Sequence, residues 1–406
     1  MRIAFLAPAW PAAAAHNGIA TYVDIMSRAL RRQGHDTLIL ASKIIGECDG
    51  DVIETGEPDN PVFAGWMAKA RSALRGDDTI DTRYWGAALA ATLSRASRHQ
   101  PIDLFEIEES FGVARYCQGR IGTPVAIRSH GPHRFVVSPP FGPSDERRIR
   151  EEGRAFFSAG AVNAPSKALL SAIEESYGER LGRAGVFPNP IELPDARDCW
   201  SLDESDPNEL LFVGRFDAVK GADLAIEAFT SLAAERKNLR LTFVGLDRGL
   251  RNASGELVRF ADYAARNVPD AVRRRIDFRG PVRRDELQSL RRRAALCISA
   301  SRYETFPYAV IEALALGAPV VATKTMGLAE YLEDDREIAF TAIGDAAALS
   351  RRIADLLDNP HYRAAMGAQA RSTAAQRFAA DRVVTQALAF YQDVAATQKT
   401  AKARAS

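Results

Sequence analysis

Apolar residues run in short bursts along this chain, with longer amphipathic stretches between them. Residues 1–7 have the length and continuity of a buried strand. A helical pattern over 22–33 follows, with Val23, Met26, Ala29 and Leu30 on one face, and Gly34-His35-Asp36 stops it. Residues 37–41, 103–107, 125–129 and 161–164 predict further strands; 145–157 and a stretch starting near Ser166 predict helices. The pattern lapses over 189–206, where Pro190, Pro194 and several acids lead to Pro207, as an interdomain linker would. It then restarts. Strands are expected at 209–213, 239–245, 275–278, 296–300 and 319–322, and helices at 222–236, 285–295 and 308–316. Helices dominate from Ala346 onward. Strand-then-helix alternation on this scale predicts an α/β chain with two doubly wound parallel sheets, a first domain over 1–190, a linker over 191–207 and a second domain over 208–380.

Composition narrows the function classes. A chain of 406 residues, 47% apolar and 26% charged, suits a soluble protein of two or three domains. Basic residues number 53 and acidic residues 52, which argues against nucleic acid as a partner and against an acidic disordered chain. The basic side is lopsided, with only eight lysines. Cys48, Cys117, Cys199 and Cys297 are scattered without a C-x-x-C pair, so free thiols in a reducing compartment are expected. The N-terminal segment carries one basic residue and turns polar at His16-Asn17, which reads as a strand rather than a secretory signal. No long uninterrupted apolar window predicts a membrane-crossing helix.

Two such domains make a cleft, and sheets of this kind bind ligands beyond the carboxyl ends of their strands. The candidate chemistry lies there. Gly18 follows the first strand and opens a helix, so backbone can approach a phosphate closely and face it with unpaired N–H groups. Gly214-Arg215-Phe216-Asp217-Ala218-Val219-Lys220-Gly221 follows the first strand of the second half. Its arginine offers a bidentate fork and its lysine a point charge, a pair suited to a diphosphate. Glu304 follows a later strand, and Glu312 lies inside the next helix among apolar residues, where a carboxylate needs a hydrogen-bond partner. Pro307 suits the first turn of that helix. Eight residues of helix span about 12 Å, so the two acids are expected to contact separate parts of one extended ligand.

In these residues the chain resembles the retaining glycosyltransferases of the GT-B fold, of the family-four type. The likeness covers nearly the whole chain. It rests on Glu304-x7-Glu312 with Gly317-Ala318-Pro319-Val320-Val321 after it, and on the Gly214–Gly221 loop. His130-Gly131, Asn163-Ala164-Pro165-Ser166 and Pro188-Asn189-Pro190 also fit, in order. The resemblance implies a nucleotide-diphosphate sugar as donor, UDP- or GDP-linked, with no tightly bound cofactor and no metal. Arg215 and Lys220 would neutralise the diphosphate, and Glu312 would bond the ribose hydroxyls. Glu304 would bond the sugar hydroxyls, and the N–H groups of Thr305 and Phe306 would support sugar and phosphates. Gly18 and Gly214 would bring backbone close to the donor, Val282 would pack on the base, and His130 would lie near the reaction centre. Transfer would retain the anomeric configuration by front-face attack, so Glu304 is not expected to act as a covalent nucleophile. Asn17 and Pro307 stand where many members of the family have glycine. Residues 381–397 resemble the helix that crosses back onto the first domain, ahead of a frayed tail over 398–406.

The acceptor stays open at this level: a glycan, a lipid-linked sugar or a small molecule. Loops 48–81 and 131–144 carry no motif that names it. The expected setting is cytoplasmic. Arg147, Arg148 and Arg150 near Phe156-Phe157 leave two readings, a solvated helix face interleaved with acids or a peripheral contact at the inner membrane face. Other readings are a sugar-nucleotide epimerase of the same fold and a silent nucleotide-sugar-binding regulator. The Glu-x7-Glu pattern and the Arg215–Lys220 loop favour transfer over both.

Overall fold

The structure, a computed structural model, describes residues 1–15, 17–57, 60–61, 82–118, 120–137, 139–252 and 254–405. His16, most of the 58–81 stretch and Ser406, each named in the sequence reading, lie outside the described residues. The chain divides into two compact units, Met1–Pro190 with Ala380–Ser406, and Ile191–Ala379.

The first unit is built on a seven-stranded sheet. Its strands are β1 (Arg2–Ala7), β2 (Asp36–Ala41), β3 (Val52–Glu54), β4 (Leu104–Glu108), β5 (Val125–Arg128), β6 (Ala161–Ala164) and β7 (Ala184–Val186), in the spatial order β3-β2-β1-β4-β5-β6-β7. Every pairing is parallel. The order reverses between β1 and β4, which makes that gap the switch point where a doubly wound sheet takes its ligand. Its main helices are α1 (Gly18–Arg32), α2 (Thr82–His99), α3 (Pro143–Ser158) and α4 (Lys167–Tyr177).

The second unit repeats the plan with six strands: β8 (Asp206–Val213), β9 (Arg240–Val244), β10 (Ile276–Gly280), β11 (Ala294–Ser299), β12 (Val320–Thr323) and β13 (Ala339–Thr341). Their order is β10-β9-β8-β11-β12-β13, again all parallel, and the switch point falls between β8 and β11. Its main helices are α5 (Ala222–Glu235), α6 (Arg284–Arg293), α7 (Tyr308–Leu316), α8 (Ala346–Asp358) and α9 (Pro360–Arg377). Both faces of this sheet are covered. Along β8, Leu210 and Phe212 enter one apolar cluster and Leu211 the other; along β11, Leu296 and Ile298 oppose Cys297 in the same way. Burial on both faces is why these strands read as continuous apolar runs rather than alternating ones.

Three differences from the sequence expectation have physical causes. Residues 191–205, read as a linker, pack into the second unit. The Ile191 N–H donates to the Phe378 carbonyl at 2.8 Å, and the Trp200 indole N–H donates to the Ala294 carbonyl at 2.8 Å. Prolines and acids end regular structure there, but one tryptophan and one isoleucine anchor the segment. The last helix, α10 (Ala380–Ala405), continues through the residues expected to fray and belongs to the first unit. Helix α2 carries buried Trp85, Leu89 and Leu93, and strand β7 is short and half exposed; neither was assigned from the pattern.

Candidate active site

In the second unit, the loops leaving β8 and β11 flank the switch point, and they carry the charged candidates. The first is Gly214–Gly221. Asp217 organises it: one carboxylate oxygen accepts the Lys220 N–H at 2.8 Å, and the other takes the Arg215 Nε at 2.5 Å. The sequence reading passed over Asp217. Its position three residues before Lys220 is the signal, because Asp bonds nearby backbone in turns. Gly221 closes the loop at φ +63°, and a Cβ there would stand 1.9 Å from the Ala300 carbonyl oxygen. Only glycine permits this approach of the loop to the end of β11. Gly221→Ala is expected to displace the loop, lowering stability by about 1–3 kcal/mol. Denaturant unfolding of the variant measures it, and an unchanged midpoint would mean that the backbone shifts without cost.

Lys220 reaches across the switch point to Glu304, with which it forms an ion pair. Burial, with the nearby Arg215 charge adding to it, pushes the Lys220 amine down to about 8, while Asp217 pulls it back up. Glu304 also lies 3.4 Å from the Ser301 hydroxyl. The two loops are joined a second time by Arg302. Its guanidinium donates to both Asp223 carboxylate oxygens, at 2.7 and 2.6 Å, and to the Ala218 carbonyl at 2.8 Å. Such a planar two-point pair fixes direction as well as distance.

Glu312 is not brought to Glu304. It sits in the middle of α7 and pairs with Arg291 of α6 at 2.6 Å. Arg291 is 2% exposed, so this is a buried guanidinium with a half-buried acid. Thr305 and Phe306 are buried. The Phe306 ring packs at 5.3 Å on Tyr331 and on Phe378. Pro307 is the residue before the first turn of α7, one position earlier than its composition suggested. Val282, between β10 and α6, is half buried against the second cluster.

The other two candidates, Gly18 and His130, belong to the first unit. Gly18 is exposed and is the first residue of α1. Asn17 precedes it in an extended conformation, φ −132°, and its side chain accepts the Ile19 N–H at 2.7 Å. Asparagine therefore serves as an N-cap here, and no left-handed backbone is needed. His130 follows β5, and its ring packs edge-on against Tyr22 of α1 at 5.0 Å. Burial, then the Arg128 charge, holds its imidazole well below the ordinary range, so the ring is neutral at pH 7.

The basic stripe on α3 is internally paired: Arg148 with Glu152 at 2.7 Å, Arg154 with Glu151 at 2.8 Å and Arg150 with Glu146 at 3.8 Å, while Phe156 is buried. Among the described residues no helix is long and apolar enough to cross a membrane, and no group of three His, Cys, Asp or Glu side chains is placed to hold a metal ion.

Residues 200–373 match the family model of glycosyl transferases group 1, and residues 16–194 match that of glycosyltransferase family 4. The chain is 34% identical over 276 residues to a D-inositol 3-phosphate glycosyltransferase of Acidothermus cellulolyticus, covering 63% of this chain and 60% of that protein. The chain thus spans about 60% of the length of that curated relative. Among solved structures, sucrose-phosphate synthase from Thermosynechococcus elongatus superposes with a TM-score of 0.72 at 18% identity, over 98% of this chain and 99% of that one. Anabaena HepE, solved in complex with UDP and glucose, gives 0.69 at 18%, over 97% and 100%. At these identities the two structures bear on the fold.

Proposed function

We propose, for a chain that belongs to the glycosyltransferases of the GT-B fold, that it moves a hexose-type sugar from a nucleotide-diphosphate donor to an acceptor hydroxyl. The observation that carries this reading is the meeting of Lys220 and Glu304 at the second switch point. A cation matched to phosphate and an acid matched to sugar hydroxyls come from the two loops that border the ligand position of such a sheet. Arg215, on the same loop, adds a second cation for the diphosphate.

In the proposed reaction the bond between the sugar C1 and the diphosphate oxygen breaks, and the acceptor oxygen bonds C1 on the same face. The acceptor proton passes to the departing phosphate oxygen. Negative charge grows on the diphosphate as it leaves, and Lys220 and Arg215 stabilise it there. Glu304 exchanges its lysine for donor-sugar hydroxyls. Glu312, oriented by Arg291, bonds the ribose hydroxyls with its remaining oxygen. Neutral His130 offers a hydrogen bond near the sugar without adding charge. HepE was solved with UDP and glucose, and by that analogy UDP-sugars head the donor candidates, with GDP-sugars next.

Thermal unfolding with UDP-, GDP-, ADP- and dTDP-sugars tests this reading. A donor at 100 times its dissociation constant is expected to stabilise the protein by about 2.7 kcal/mol. No shift with any of the four would count decisively against a nucleotide-sugar site.

A further inference from the structure

Three buried carboxyl groups that the sequence motifs do not include cluster near the carboxyl end of β4: Glu108, Glu109 and Glu152. Glu109 is 2% exposed. Its oxygens accept two consecutive backbone amides of the loop after β5, the His130 N–H at 2.9 Å and the Gly131 N–H at 2.5 Å. Glu152, from α3, accepts the Phe111 N–H at 3.2 Å and the His133 N–H at 2.7 Å, and its other partner is Arg148. Glu108 accepts the Ser110 N–H at 2.7 Å.

Burying a carboxylate is costly, and placing three together is costlier. Burial, with Glu108 and Glu152 adding to it, drives the Glu109 carboxyl up to about 8, while the two amides pull it back, so the group carries little charge at pH 7. An apolar residue would fill the same space without that penalty. It would not satisfy two adjacent N–H groups at one turn. A glutamine would satisfy one, because its amide has a single acceptor oxygen.

We propose that Glu109 is a positioning residue: the two oxygens of its carboxyl group fix the backbone turn at His130 and Gly131, and through that turn the His130 side chain used in transfer. This assignment rests on the glycosyltransferase reading for its catalytic consequence, but not for its structural one. Tyr22 packs edge-on against the ring and Glu109 holds the backbone amide. His130 thereby holds one orientation before any ligand arrives, which is what an electrostatic partner of a transition state requires.

The test compares full-length wild type, Glu109→Gln, His130→Ala and the double variant. Hydrogen exchange of peptides containing residues 130 and 131 is expected to rise about tenfold in Glu109→Gln, because one of the two acceptor oxygens is replaced by an amide nitrogen that cannot accept. Turnover is expected to fall roughly 10–100-fold with little change in donor KM, and Glu109→Gln is expected to add nothing in the His130→Ala background. Unchanged exchange at the turn, or losses that multiply fully in the double variant, would overturn the assignment. If Glu109→Gln does not fold, Glu109→Asp carries the same readouts, since it keeps both carboxyl oxygens and shortens the reach. Absence of any donor shift in the wild type would sink the transferase reading alone, and the exchange measurement would still decide the turn.

Discussion

Lys220→Ala is expected to lower turnover by roughly 10²–10³-fold while leaving the fold intact. The size follows from the step at which Lys220 acts. A preorganised cation aimed at a leaving group matters most where charge has accumulated, so the loss should appear in kcat more than in donor KM. The fold should survive because Lys220 packs no core; its loop is held by Asp217, Arg302 and the Gly221 contact. A pH profile separates this role from a structural one. Burial brings the free amine down to about 8, so its protonated fraction falls as pH rises through that value. Wild-type kcat/KM is expected to decline above pH 8, since that ratio reports the free enzyme. The limb in kcat should lie higher, because a bound diphosphate favours the ammonium form. In Lys220→Ala the limb should vanish. Wild-type turnover in the variant would remove the lysine from the leaving-group role.

Arg128→Ala is expected to cost about 3–5 kcal/mol of stability. Arg128 closes β5 and is 1% exposed. It donates to Asn163 Oδ1 at 3.0 Å, the Phe187 carbonyl at 3.0 Å and Asn189 Oδ1 at 2.8 Å, and it stacks on the Tyr22 and Phe187 rings, each 4.7 Å away. Its charge also steadies a buried acid. Glu106, 2% exposed, accepts from Tyr22 at 2.8 Å, Asn163 at 2.9 Å and Tyr391 at 2.7 Å. Burial raises the Glu106 carboxyl, and Arg128 is the leading influence that lowers it. Deleting the arginine leaves that acid without a compensating charge. It also weakens the seat of Tyr391, through which α10 is tied to the first sheet. A shift in the denaturant midpoint measures the effect, and Arg128→Lys should lie between the two, keeping charge but losing the planar fork. An unchanged midpoint in Arg128→Ala would mean that Glu106 is neutral and satisfied by the two tyrosine hydroxyls and the Asn163 amide.

The same residues mark how far sequence reading reached. Lys220 and Glu304 were legible because each follows an apolar strand run, and a doubly wound sheet concentrates ligand contacts there. Glu109 follows a strand just as closely and was passed over. Its partners are the amides of His130 and Gly131, and backbone groups leave no mark in a list of side chains. Arg291 was hidden in another way. It stands in a run of three arginines in α6, where Arg293 is exposed and Arg291 is buried. Helical periodicity assigns them to different faces, but only the packing of α7 shows that the inner one meets Glu312. The segment 191–205 was read by its prolines, which report the end of a helix or strand and not whether the segment then packs.

Residue order alone therefore sufficed for most of the rhythm of strands and helices, though not for α2 or β7, and for the doubling of the architecture and the two loops that carry the charges. Burial along a single element leaves a period, and a period can be counted. Contact between elements settled the rest: Lys220 with Glu304, Glu312 with Arg291, Glu109 with the turn at His130. An ion pair or a shared amide depends on distances across the fold, and no spacing along the chain encodes them.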